Sequence, residues 1–185
     1  MGGPIGLIKG WAGKPSHPPL TDASIGAYTV GVAMLVVGAL GVEEEQMAAG
    51  ALLAIGGGLI LAVPTVLTGL LDWLDIQKGT PARTVATVHL LTMLSATALF
   101  ALTFIVHLDG YDDGRVETIS WILGLAAESL LAAGGFIGGS IVFVYGIRVL
   151  KNPDTPVVDA LVPGRAGTEG HLPPSGEVPS EQEWP

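Results

Sequence analysis

The sequence predicts an all-α integral membrane protein, a four-helix bundle with its N- and C-termini in the cytoplasm. Three observations carry that reading. Four apolar stretches, Leu20–Val42, Met47–Leu74, Thr84–Val106 and Ile119–Val149, each reach the roughly 20 residues, at ~1.5 Å apiece, that a hydrocarbon core requires. The chain is 49% hydrophobic with a mean hydropathy of +0.58, and its apolar residues lie in runs too long for ordinary core helices. Charge is sorted by side as well. Lys9, Lys14, Lys78, Arg83, Arg148, Lys151 and Arg165 occupy one set of ends. Glu43, Glu44, Glu45, Asp109, Asp112, Asp113 and Glu117 occupy the other, with Arg115 as the single base among them. Basic flanks stay in the cytoplasm, which orients the bundle.

Residues 1–19 read as a Gly/Pro-rich cytoplasmic arm whose Trp11 suits the headgroup zone. Ser16 is the expected N-cap of the first span (about 20–42). Pro18 and Pro19 suit a first turn, where a missing N–H has no intrahelical partner to lose. The arm is too long and too rich in Pro and Gly for a signal-peptide n-region, so the first span is expected to persist as a helix. It ends at Gly41, and the short turn Glu43–Glu45 makes spans one and two antiparallel neighbours.

Span two (about 47–74) contains Gly56-Gly57-Gly58 and Pro64, which are expected to weaken or kink it. Residues 77–82 form an inner loop with Gly79 as the helix stop and Pro81 near the next start. Span three (about 84–107) leads into the turn-rich segment 109–114, and span four (about 117–149) ends beside Arg148. No inverted repeat is evident among the spans. Residues 151–185 are rich in Pro and acidic groups and are not expected to fold alone. Leu172, Val178 and Trp184 are that tail's candidate anchors on a neighbouring subunit.

Several functions are disfavoured. Cysteine is absent, which removes disulfides, Cys-ligated zinc and iron–sulfur clusters from this chain. A net charge of −9 disfavours nucleic acid as a partner. No phosphate-binding loop, dinucleotide fingerprint, HExxH or nucleophile elbow occurs, so soluble-type catalysis by this chain alone is not expected.

Polar groups inside a span cost free energy and invite a functional account. Thr65, Thr68, Asp72 and Asp75 recur every three or four residues and share one face of span two. His17 and Asp22 lie at the same end of span one, and His89 lies about two turns into span three from that side. Two histidines and up to three carboxylates are therefore expected at one depth, where they suit a metal, a proton relay or haem. The structural alternatives are Asp72 and Asp75 pairing with Lys78 or Arg83, His17 bonding a backbone carbonyl, and His89 bonding Asp72. His107 lies ~27 Å further along span three than His89, too far to share a small cofactor, and is expected at the outer interface. Glu128, inside span four, joins the polar network as a proton-handling group or as a hydrogen bond to another helix. Gly134 with Gly138, and Gly135 with Gly139, form overlapping GxxxG pairs expected to let another helix approach closely.

The order of these motifs resembles a bacterial membrane family. His17-Pro18 heads span one and Gly69-Leu70-Leu71-Asp72-Trp73 closes span two. Arg83 precedes His89 in span three, and Gly134-Gly135-Phe136-Ile137-Gly138-Gly139 lies in span four. Together they resemble the DUF2231 family (a domain of unknown function) of four-helix membrane proteins, over about Ser16 to Lys151. The resemblance implies a bacterial inner membrane and an electron-transport setting, because similar proteins occur joined to Rieske or cytochrome c domains. This chain lacks a redox domain of its own. The expectation is therefore a subunit serving a redox assembly, with a separate Rieske or cytochrome partner or a b-type haem held by His17 and His89. The alternatives are a cofactor-free scaffold subunit and, third, a proton-conducting protein using Asp72, His89 and Glu128.

Overall fold

The computed structural model describes residues 10–11, 14–149 and 156–161. The tail positions Leu172, Val178 and Trp184 lie outside the described residues. A two-stranded antiparallel ribbon, β1 (Gly10–Trp11) and β2 (Lys14–Pro15), precedes four long helices. These are α1 (His17–Ala39), α2 (Glu44–Asp75), α3 (Pro81–Asp112) and α4 (Thr118–Phe143); a short α5 (Val157–Leu161) follows within the acidic tail. All four long helices have the length and hydropathy to cross a membrane, so this is a multi-pass membrane protein. Leu53, Ile60, Val63, Leu91, Ile105 and Phe136 are exposed on the outside of the bundle, where acyl chains take the place of water.

Each helix packs against its sequence neighbours, and α4 closes the ring against α1. Turn chemistry sets where the helices stop. Gly41 (φ +79°) and Gly114 (φ +66°) take the left-handed conformation just past α1 and α3. At Gly114, Arg115 N–H donates to the Gly110 carbonyl (2.7 Å) and Gly114 N–H to Tyr111 (3.1 Å), the paired pattern of a Schellman end. The stop expected at Asp109–Gly110 therefore falls later. Gly110 stays helical and buried because the Arg115 carbonyl lies 2.6 Å from where a Cβ would be. Helix α4 ends at Phe143, earlier than expected, and the chain then turns through Gly146 (φ +63°). Pro64 does not interrupt α2, which is helical from Glu44 to Asp75. Ser16 occupies the N-cap of α1 but makes no capping bond; Thr80 caps α3, accepting from Arg83 N–H at 3.2 Å.

Arg83 does not meet an aspartate. Its guanidinium lies 3.4 Å from the centroid of the Trp73 ring and donates to the carbonyls of Trp73 and Ile76 (3.1 Å for Ile76). Those carbonyls are orphans of the last turn of α2, so one buried side chain caps one helix from the start of the next. Trp73 in turn donates its indole N–H to Thr87 at 3.0 Å. Arg83→Leu is expected to cost about 2–4 kcal/mol, since each charge-assisted bond is worth ~1.5–3 kcal/mol. A thermal melt of the detergent-solubilised protein, compared with wild type, measures that loss.

The core is layered. Tyr28 of α1 and Phe100 of α3 stack across the bundle's diagonal, with ring centroids 3.9 Å apart and planes 1° from parallel. The buried positions Ser24, Tyr28, Gly31, Leu35 and Gly38 of α1 recur in α3 as Ala96, Phe100, Thr103, His107 and Gly110, at a constant 72-residue offset. In the partner helices, Ala51, Ile55, Gly58, Ala62 and Thr65 of α2 recur in α4 as Ser120, Gly124, Ala127, Leu131 and Gly134, offset by 69 residues. The bundle is thus one helical hairpin used twice, both copies running in the same direction. The repeat is parallel rather than inverted.

Candidate functional site

The repeat extends to both histidines. His17 opens α1 and lies against α2, where its ring carbon is 2.7 Å from the position a Cβ on Gly69 would take. Its Nδ1 is 3.0 Å from the Thr65 carbonyl, one turn earlier on that helix, and 3.3 Å from Thr68 Oγ1. His89 repeats the arrangement on α3 and α4. Its ring carbon is 2.8 Å from a Cβ on Gly138, and its Nδ1 is 2.8 Å from the Gly134 carbonyl. Residues 17 and 89, 65 and 134, and 69 and 138 keep the same two offsets as the core.

A carbonyl oxygen only accepts, so both bonds put the proton on Nδ1 and leave the Nε2 lone pair unprotonated. The Nε2 of His17 has Thr21 Oγ1 at 3.5 Å, and that hydroxyl already donates to the His17 carbonyl at 2.9 Å.

The two histidines also lie toward the same end of the bundle. Tyr28 and Phe100 each follow their histidine by eleven residues, which returns to the same helix face within ~20° and lies ~16 Å along the axis. The histidines thus lie on the same stripes of α1 and α3 as the stacked rings, about three turns nearer the N-terminal end. His17 is within electrostatic reach of both His89 and Asp72. Among the described residues no three His, Asp or Glu side chains gather around a point that could hold a bare metal ion. Two imidazoles with carbonyl-fixed tautomers are nevertheless residues that could hold a haem iron, which needs no third protein ligand.

The other residues singled out by sequence separate from this pair. Asp22 is exposed and does not join it. Asp72 and Asp75 bind Arg148 from the turn after α4 (3.2 Å for Asp75), not Lys78, Arg83 or His89. Sequence reasoning missed Arg148; its one signal was a base at the same end of the bundle as the two acids. Glu128 lies in the seam between α4 and α1, where its Oε1 accepts from the Thr29 hydroxyl at 2.8 Å and its Oε2 is buried without a partner. Thr29→Val leaves this carboxyl without that bond and is expected to cost about 1–3 kcal/mol, read as a lowered melting temperature.

Of the glycine pairs, Gly134 and Gly138 meet α3 through Met93 and His89. A Cβ on Gly135 would meet nothing within 4 Å, and one on Gly139 only Phe143 of its own helix. His107 is not interfacial. It is fully buried, and its Nε2 donates to the Ala48 carbonyl at 3.0 Å, tying α3 to α2.

No curated protein and no solved structure matches the chain. A family model described as a predicted membrane protein (DUF2231) matches residues 13–151, a range that takes in all four long helices and both histidines. The chain therefore belongs to the DUF2231 family of predicted membrane proteins.

Proposed function

We propose that this protein is a haem-binding membrane subunit of an electron-transfer assembly in the bacterial inner membrane, with one b-type haem held between His17 and His89. The observation that carries the reading is the matched pair of Nδ1 hydrogen bonds to Thr65 and Gly134, on histidines at equivalent positions toward one end of the bundle. Each bond orients its ring, fixes the tautomer and strengthens Nε2 as a donor to iron. The haem supplies one-electron redox chemistry. The chain's own residues do the rest: the two carbonyls hold the Nδ1 protons, Gly69 and Gly138 admit the rings, and the apolar helices exclude water. The assembly partner expected is a separate Rieske or cytochrome protein.

The test is an optical spectrum of the gently solubilised protein, made with haem supplied. A Soret band with a low-spin pyridine haemochrome and co-purification of a redox partner support the reading. Stoichiometric protein that takes up no haem sinks it. A cofactor-free scaffold is the second reading, and one observation favours it: His107 makes the same kind of interhelical bond to a carbonyl. On that reading all three histidines only tie helices together, and their loss changes stability alone.

A further inference from the structure

Where α1 begins, the end of α2, the start of α3 and the turn after α4 line an open, solvent-facing pocket of about 460 Å³. Its charged wall is Asp72, Asp75 and Arg148, its polar rim includes Gln77, and Ile76 and Ile147 contribute apolar surface. The volume lies in the range of small-molecule sites, ~300–1,000 Å³. Neither His17 nor His89 lines it. We propose that this cavity binds the headgroup of an amine-bearing phospholipid, with the ammonium on the two aspartates and the phosphate on Arg148.

Three features select that chemistry. Asp72 and Asp75 are one turn apart on α2 and present acceptors to one point, where Arg148 now donates to both. A primary ammonium has three donors and can replace the guanidinium there, whereas a quaternary ammonium has none. The guanidinium, once released, is a planar fork matched to a phosphate. The exchange gives the aspartates an ammonium in place of the guanidinium, and gives the guanidinium the phosphate. Location selects a lipid over a soluble zwitterion. The cavity lies where membrane-length helices end, beside Trp73, and Leu74, Val144 and Val149 are exposed next to its lining residues as a surface for acyl chains. An anionic headgroup without an amine brings at most hydroxyl donors, and no positive charge, to the two carboxylates.

Native mass spectrometry of the full-length protein tests this, with phosphatidylethanolamine, phosphatidylcholine and phosphatidylglycerol of identical acyl chains added in turn. The ethanolamine lipid is expected to be retained about tenfold better than either other lipid, the size of effect that a charged hydrogen bond supplies. Asp72→Asn with Asp75→Asn should erase its advantage over the choline lipid, and Arg148→Gln should weaken both zwitterionic lipids. Soluble phosphoethanolamine at equal concentration is expected not to displace the lipid. Equal retention of all three lipids, or preference for phosphatidylglycerol, overturns the proposal using wild-type protein alone. Competition by soluble phosphoethanolamine as strong as by the lipid overturns the membrane lipid as occupant. None of these readouts depends on haem, so this inference and the haem reading fail separately.

Discussion

Replacing His17 and His89 together by Ala is expected to abolish haem uptake while leaving a folded bundle. On the proposed ligation either single replacement would leave at most one protein ligand for the iron, so the Soret band should shift and affinity fall by about tenfold or more. Each Ala variant also loses one hydrogen bond to a neighbouring helix, at about 0.5–1.5 kcal/mol. That loss is small for a bundle whose core lies elsewhere. His89→Gln separates the two roles, because an amide can still donate to the Gly134 carbonyl but cannot replace an imidazole on iron. A His89→Gln variant that melts near wild type and takes up no haem supports ligation. Spectra unchanged in the double variant would leave these histidines as helix ties. His107→Ala is the control: it should lower the melting temperature without altering any haem spectrum.

Gly58→Leu is expected to give the largest loss of stability. A Cβ at Gly58 would lie 2.6 Å from one ring carbon of Tyr28 and 2.7 Å from another. Tyr28 cannot retreat, because Phe100 stacks on its ring at 3.9 Å and its side chain is only 2% exposed. Overpacking of this kind costs about 1–3 kcal/mol where the neighbours can shift, and more where they cannot. Gly57→Leu, one residue away, is the matched comparison. Nothing lies within 4 Å of its Cβ position, so it should be neutral or slightly stabilising through helix propensity. Parallel melts of the two variants in one detergent measure the difference. Equal melting temperatures would mean that the Tyr28–Phe100 layer does not hold the bundle together.

The spans were legible because insertion depends on local composition and length, both of which are written in consecutive residues. The stop at Gly41 was legible for the same reason. The stop after α3 was not, since Gly110 and Gly114 look alike in sequence and only the approach of the Arg115 carbonyl decides which one leaves the helix. Gly56-Gly57-Gly58 shows the same limit. Gly58 admits Tyr28 and a Cβ on Gly56 would meet Phe104, whereas Gly57 faces open space.

The internal repeat escaped sequence reading altogether. Among the buried pairs that define it only Gly38 and Gly110 are the same residue; the outer pairs His17 with His89 and Gly69 with Gly138 are the other identities among the residues named. Lipid-facing positions need only be apolar, and that requirement hides the spacing of the buried ones.

For the candidate site, sequence grouped His17, His89 and Asp72 near one end of the bundle; His17 opens α1, His89 lies about two turns into α3, and Asp72 is in the last turn of α2. Partner choice was different. Asp72 had Lys78 and Arg83 nearby in sequence, yet it binds Arg148, 76 residues away. Arg83 is drawn instead to the bare carbonyls that end α2, because a buried helix end must find donors. Glu128 announced itself as an ionisable group within a span, but the Thr29 hydroxyl that meets it comes from the far side of the chain.

By itself the sequence determined that this chain has four helices long and apolar enough to cross a membrane, and which polar groups lie toward the same ends of them. Only the tertiary structure decided that two hairpins repeat one another, that each histidine rests on a glycine and bonds a carbonyl of the next helix, and that Arg148 rather than Arg83 answers the aspartates. Hydropathy is a sum over neighbours in the chain. Hydrogen bonds and ring contacts between helices join residues from 10 to 99 positions apart, and no local pattern specifies which partner wins.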